Sequence, residues 1–211
     1  MKSNLSESLT SFLDPSRIST SEEDLDQSSG DALGVYRALR VAPRLAARPQ
    51  VLVRPTSTQE VSEVLQYANA KGIPVVPRGG GTGVMGGAVA VDGCIVLDLK
   101  DMSDILDIRP EDRVVRVQAG VVLQDLEVTL NKKGLILGHD PWSLPIATVG
   151  GAISTDSVGY RASKHGSMGE QVLALEVVMA DGSITRTRPP LLTSSGPGLN
   201  GLFIGTEGTM G

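Results

Sequence analysis

The sequence predicts an α+β fold of two subdomains, and three observations carry that expectation. A strand–helix–strand pattern fills residues 51–76, and an acidic stretch broken by Pro110, Asp101–Asp112, marks a boundary behind it. A second set of strands with one helix then runs from Val114 to Thr187. The predicted units are therefore an N-terminal arm (1–46), a first subdomain (47–100) and a second (101–211).

Residues 1–31 are rich in serine and acidic groups and read as a peripheral arm with one short helix near Glu22–Gln27. Leu33–Leu45 mixes apolar residues with arginine, and Val51–Val53 is the first strand. Ser57 and Glu60 then form a capping-box pair. Val61, Val64, Leu65 and Ala68 recur at helical spacing, and Gly72 ends the helix. Ile73–Val76 is the second strand. Cys94–Leu99 is a third, wholly apolar and of the kind buried on both faces. In the second subdomain Val114, Val115 and Val117 form a strand, and Leu123, Leu126 and Leu130 mark a helix face that stops at Gly134. Leu135–Leu137 and Leu173–Met179 read as further strands. Ala180–Ser183 turns the chain into Ile184–Thr187, Pro189–Gly198 is a loop, and Leu199–Ile204 is a helical turn.

With 211 residues, of which 40% are hydrophobic, the chain can bury a core. Aromatic residues make up 3% and the net charge is −5, which argues against a nucleic-acid partner. The N-terminus has no long apolar run and turns acidic at Glu22, Glu23 and Asp24. It resembles neither a secretory signal nor a membrane span, so a cytoplasmic protein without membrane insertion is expected. A single cysteine, Cys94, excludes an internal disulfide and a cysteine-based zinc or iron–sulfur site. Its apolar surroundings predict burial, and no metal site is expected.

Chemistry is concentrated in glycine loops. Pro77–Gly87 reads PRGGGTGVMGG, with six glycines in eleven residues directly after a strand. Glycine lets several backbone N–H groups face one point, a nest suited to an anion such as phosphate. The P-loop reading fails because no Lys-Ser/Thr follows the last glycine. Gly81-Thr82-Gly83-Val84-Met85-Gly86 satisfies GxGxxG literally. Only Gly87–Gly93 separates it from the next strand, however, and a βαβ crossover needs about 10–12 residues. A glycine-rich turn without a ligand stays open at this point. A second loop, Gly138–Gly159, carries two prolines, the pair Gly150-Gly151 and the hydroxyls of Ser154, Thr155 and Ser157. A third, Gly205–Gly211, reads GTEGTMG.

The three loops in this order, PRGGGTG, TVGGAIST and GTEGTMG, resemble the FAD-binding domain of the vanillyl-alcohol oxidase and p-cresol methylhydroxylase superfamily. The likeness is greatest to the branch of D-lactate dehydrogenases, the glycolate oxidase flavin subunit and alkyldihydroxyacetonephosphate synthase, and it covers about residues 47–211. It implies a PCMH-type fold in which a small parallel subdomain and a larger mixed or antiparallel one enclose FAD, the second being incomplete here. It also implies that the FAD pyrophosphate lies on the first loop: Pro77, Arg78, Gly79, Gly80, Gly81, Thr82 and Gly83. The second loop would run along the ribityl chain and isoalloxazine edge through Trp142, Ser143, Leu144, Pro145, Ala147 and Thr148, then Gly150, Gly151, Thr155, Asp156, Ser157 and Val158. Gly205, Thr206, Glu207, Gly208, Thr209 and Gly211 would close over the adenosine half.

Thr82 stands where some relatives attach FAD through histidine, so the flavin is expected to be non-covalent. The resemblance further implies an FAD-dependent oxidoreductase that takes hydride from a 2-hydroxy acid, with its catalytic base on a cap domain beyond Gly211. The electron acceptor would be another subunit, or the protein a homodimer. Two alternatives stand beside it: an alkyldihydroxyacetonephosphate synthase-like transferase, and a fragment with weak or no flavin binding. His139 either touches cofactor or substrate or is a satisfied loop histidine. Arg161, Lys164 and His165 either meet an anion or form a solvated face. Lys164-His165-Gly166 departs from the Lys-Tyr-Gly often found in lactate-type relatives.

Overall fold

The computed structural model describes residues 5–33, 47–188 and 197–211. The expectations for Leu33–Leu45 and Pro189–Gly198 fall almost wholly outside the described residues.

Strand β2 (Val51–Val53) leads through α3 (Thr58–Lys71) to β3 (Val75–Arg78), and β4 (Ile95–Asp98) inserts between them, parallel to both. Helix α3 forms where the capping signal placed it. Ser57 Oγ accepts from Glu60 N at 3.2 Å, while Glu60 Oε2 reaches one residue further back than a standard box, to Thr56 N at 2.6 Å. Gly72, at φ 62°, closes the helix in the left-handed conformation. Val51, Val53, Ile95 and Leu97 face α3 in one core cluster. Leu52, Val96, Val76 and Cys94 face the opposite side in another, so β4 is covered on both faces as its sequence required. Burial of each such aliphatic side chain contributes about 1.5–3 kcal/mol. It also pushes the Cys94 thiol up from its ordinary pKa.

The N-terminal segment is not a peripheral arm. Helix α1 (Leu5–Leu9) buries Leu5 and Leu9, with Leu13 beyond it, in the same core as α3. Strand β1 (Ile18–Ser19) extends the sheet antiparallel to β2, giving the order β1-β2-β4-β3, and α2 spans Glu22–Ser28. A hydrogen bond from Ser19 and the Arg54 guanidinium hold the Asp24 carboxyl down at about 2, tying α2 to the strand exit.

The second half has its own core, built on Val121, Leu123, Leu126, Leu130, Val149 and Ala152. Residues 101–112, expected as a boundary, include strand β5 (Ile105–Arg109), which pairs with β6 (Val114–Val117) as an antiparallel hairpin. Pairing is possible because Ile105 and Ile108 pack on that core, which outweighs the local acidity. Helix α4 spans Leu123–Asn131. Leu135–Leu137 is not a strand: the Leu135 N–H closes the end of α4 on Leu130 O, and the Leu137 N–H is taken by the Glu127 carboxylate, so no ladder partner is needed.

Part of the expected loop Gly138–Gly159 is helix α5 (Val149–Ser154), followed by the short α6 (Ala162–His165). Strand β7 (Glu176–Val178) is shorter than expected because the Leu175 N–H binds the Thr187 hydroxyl and the Asn200 amide takes the carbonyls of Val172 and Leu173. It pairs with β8 (Ile184–Arg186) in a hairpin docked on α3, where Ser62 Oγ donates to Gly182 O at 2.5 Å and Thr58 Oγ1 to Glu176 Oε1 at 2.7 Å. Among the described residues, no helix is long and apolar enough to cross a membrane.

Candidate functional site

Strand β3 lies at the sheet edge, and its C-terminal end delivers the first glycine loop, the position where open parallel sheets bind ligands. Loops two and three come to meet it. The backbone at Gly79 and Gly80 passes so close to the second loop that a Cβ on either would overlap Thr148 Oγ1 or the Ile146 carbonyl oxygen. The third loop reaches the first twice: Gly208 packs on the Pro77 ring, and the Glu207 side chain fills the space beside Gly87. Loops two and three are joined through α5, whose Ile153 and Ser154 carbonyls accept from Gly205 N at 3.2 Å and Glu207 N at 2.7 Å.

The backbone donors differ between the first and second loops. The N–H groups of Gly80, Gly81, Thr82 and Gly83 find no acceptor among the described residues. Gly81 sits at φ 65°, the conformation that turns successive N–H groups to one side. In the second loop, Gly150 N binds Ala119 O, Gly151 N binds Thr148 Oγ1, and Thr155, Asp156 and Ser157 donate back into α5. Thr148 therefore acts as the N-cap of α5, while Ala147 is buried in the second core. The Ser143 carbonyl accepts from Ile146 and Ala147, and the Leu144 carbonyl from Gln124, folding Ser143, Leu144 and Pro145 into a turn. In the third loop the Thr206 and Thr209 hydroxyls bond to nearby carbonyls, and Gly211 lies against Val177. Asp156 and Glu207 hold positive φ of 45° and 53°, and Asp156 Oδ1 accepts from Gly169 N at 2.9 Å.

Arg78 does not point out toward a ligand. Its guanidinium turns beneath the loop and donates to the carbonyls of Gln27, Gly30 and Gly79, placing a positive charge under the free N–H groups. His139 is 1% exposed, with Nε2 held 2.7 Å from Ser157 Oγ. Burial pushes its pKa down, against the opposing pull of Asp140 and Asp156. It therefore packs the second loop from inside and faces neither solvent nor the junction. Arg161 is bound by Glu127, Asp140 and the Leu137 carbonyl, so the basic cluster offers no free guanidinium. Trp142, 88% exposed, together with Pro141, Val158, Gly159 and Tyr160, lines a shallow cleft of about 310 Å³ beside the second loop.

Three features lay beyond the sequence reading: the contact of residues 27–31 with the first loop, the burial of His139, and the Arg161 network. The first left one trace, Ser28-Ser29-Gly30-Asp31, a run typical of turns whose aspartate binds backbone N–H groups.

The FAD binding domain family matches residues 49–188. The chain belongs to this family. It is 39% identical over 198 residues to a D-lactate dehydrogenase of Anaerostipes hadrus, covering 93% of this chain and 40% of that protein. It is 37% identical to the glycolate oxidase subunit GlcD of Bacillus subtilis, covering 92% and 41%. Among solved structures it superposes on alkyldihydroxyacetonephosphate synthase with a TM-score of 0.84 at 25% identity, covering 97% of this chain and 40% of that one. The fold is thus the PCMH-type FAD-binding fold, FAD is the cofactor that goes with it, and the chain spans about 40% of the length of these relatives. The junction fits such a cofactor: four adjacent N–H groups with no acceptor among the described residues, beside the half-buried Arg78 guanidinium, suit a diphosphate.

Proposed function

We propose that this chain is the cofactor-binding part of a flavin-dependent oxidoreductase that oxidises a 2-hydroxy acid of the D-lactate or glycolate type. The observation that carries the reading is the row of N–H groups at Gly80–Gly83 without an acceptor among the described residues, in the loop that both other loops touch. Those groups would hold the FAD pyrophosphate, each bond to a charged oxygen contributing about 1.5–3 kcal/mol. Thr148, Gly150 and Gly151 would form the wall behind it, and Glu207 with Gly208 the adenosine side. Bound FAD supplies hydride acceptance from the substrate carbon. This chain's residues would bind and orient it, and the proton acceptor for the substrate hydroxyl would come from the part of the relatives' length that this chain does not span. Thr82 offers a hydroxyl and no imidazole, so the flavin is dissociable. We place the protein in the cytoplasm, with an electron-acceptor subunit or a second copy of itself as partner.

Anaerobic mixing of the whole protein with D-lactate or glycolate tests the reading. Bleaching of the flavin is the expected result, and yellow protein that neither substrate bleaches would overturn it. That second outcome would favour a transferase of the alkyldihydroxyacetonephosphate synthase type, which the TM-score of 0.84 supports. Colourless protein that takes up no FAD would favour the non-binding fragment. Acid precipitation should release the yellow chromophore into the supernatant.

A further inference from the structure

The first loop is held at both ends by a segment lying N-terminal to the family match, which begins at residue 49. At its start, Arg78 Nη2 donates to the carbonyls of Gln27 and Gly30, both at 3.2 Å, and Nη1 to Gly79 O at 3.3 Å. Gln27 and Gly30 lie at the C-terminal end of α2, where carbonyls without helical partners carry partial negative charge. At its far side, Asp31 Oδ2 accepts from Gly86 N at 3.0 Å, while Oδ1 accepts from Leu33 N at 2.8 Å. A third tie, Ala90 N to Ser29 O at 2.8 Å, fixes the chain just beyond the loop. Residues 27–31 thus touch the chain before the row of donors, at Arg78, and twice after it, at Gly86 and Ala90. Gly81 rests directly on the Arg78 guanidinium, 2.5 Å from Nη2 to where a Cβ would stand.

This geometry has an electrostatic purpose. Four N–H dipoles turned to one side repel one another until an anion arrives, so an unbraced loop would relax and turn them apart. We propose that residues 27–31 brace the Gly80–Gly83 nest in its anion-binding shape, with Asp31 and Arg78 as the positioning residues. The proposal rests on the flavin reading of the nest and extends its site to a segment outside the matched family region. Asp31 accepts through both oxygens, so asparagine, with one acceptor oxygen, can keep only one of the two ties. Arg78 acts as a fork spanning several carbonyls, which a single ammonium cannot reproduce.

Two measurements on Asp31→Ala, Asp31→Asn and Arg78→Lys in the whole protein decide it. One is the nitrogen relaxation of the Gly80–Gly83 amides without flavin, and the other is FAD affinity from fluorescence quenching. Asp31→Ala is expected to take the order parameters from rigid values near ~0.85 to below ~0.6 and to weaken FAD binding at least tenfold. Arg78→Lys should loosen the loop and weaken FAD as Asp31→Ala does, and Asp31→Asn, which keeps one acceptor oxygen of two, should fall between Asp31→Ala and the parent. Unchanged rigidity or unchanged affinity in Asp31→Ala overturns the brace. If Asp31→Ala does not fold, a rigid loop in Arg78→Lys overturns it equally. Parent protein that takes up no FAD would sink the flavin reading alone, because the relaxation of the loop amides still decides the brace.

Discussion

In the first glycine loop, the N–H groups of Gly80, Gly81, Thr82 and Gly83 point at nothing in the described chain. In the second loop those of Gly150, Gly151 and Thr155 are bonded within the protein, and in the third those of Gly205 and Glu207 are bonded while those of Thr206 and Gly208 find no acceptor among the described residues. All three loops carry the same sequence signal, so glycine density does not by itself identify a ligand site. In the first loop glycine frees donors, whereas Gly150 in the second lets α5 lie against Ala119, a Cβ there being 2.7 Å from the Ala119 Cβ. Among the described residues the first loop offers a row of donors, the second packs against it as a wall, and the third is mixed.

The sharpest way to break this contrast is Gly80→Val. Its Cβ would overlap the Ile146 carbonyl, a backbone atom that cannot swing away, and its bulk would open the junction of loops one and two. FAD affinity is expected to fall at least a hundredfold, about 2.7 kcal/mol or more, as read by quenching of flavin fluorescence. Retention of parent affinity would show that the diphosphate is not held there.

Gly150→Ala should act on the wall without touching the receptor. Overpacking against Ala119 predicts a loss of about 1–3 kcal/mol in urea unfolding, with FAD affinity at low temperature changed less than about threefold. An affinity loss matching that of Gly80→Val would remove the distinction between the loops.

The parts of the molecule that were legible in the sequence are those whose causes are local. Helix α3 carries its cap, apolar stripe and terminating glycine within sixteen residues of one another, Ser57 to Gly72. The apolar run of β4 announced a strand covered on both faces. What the sequence hid depends on distant partners. Two glycines in succession lower helix propensity by about 1 kcal/mol each, yet α5 forms because Thr148 caps it and Val149 and Ala152 reach a core built mainly elsewhere. Leu135–Leu137 has a strand's composition, but the Glu127 side chain supplies what a neighbouring strand would. For the N-terminal segment a signal was present and outweighed by composition: Leu5, Leu9 and Leu13 recur every four residues amid serine and acid, and all three are buried. The convergence of the three loops followed from the resemblance. The brace at Asp31 did not, because it joins residues 55 positions apart.

A smaller effect separates wall from receptor by pH. His139 packs the second loop from within, and burial, partly offset by Asp140 and Asp156, places its folded pKa below the ordinary 6.5. Below pH 6.5 the unfolded chain therefore takes up a proton that the folded chain refuses. Stability contributed by neutral His139 is fully present above 6.5, declines as pH falls, and levels off once the folded imidazole also titrates. One proton limits the slope to about 1.4 kcal/mol per pH unit. Urea midpoints of the parent protein should drop between pH 7.5 and 5.5, and those of His139→Gln should drop less, since its amide reaches the Nε2 position beside the Ser157 hydroxyl and does not titrate. Parallel pH profiles would mean that the buried ring carries its charge at little cost, and that the second loop is less tightly closed around it than its 1% exposure implies.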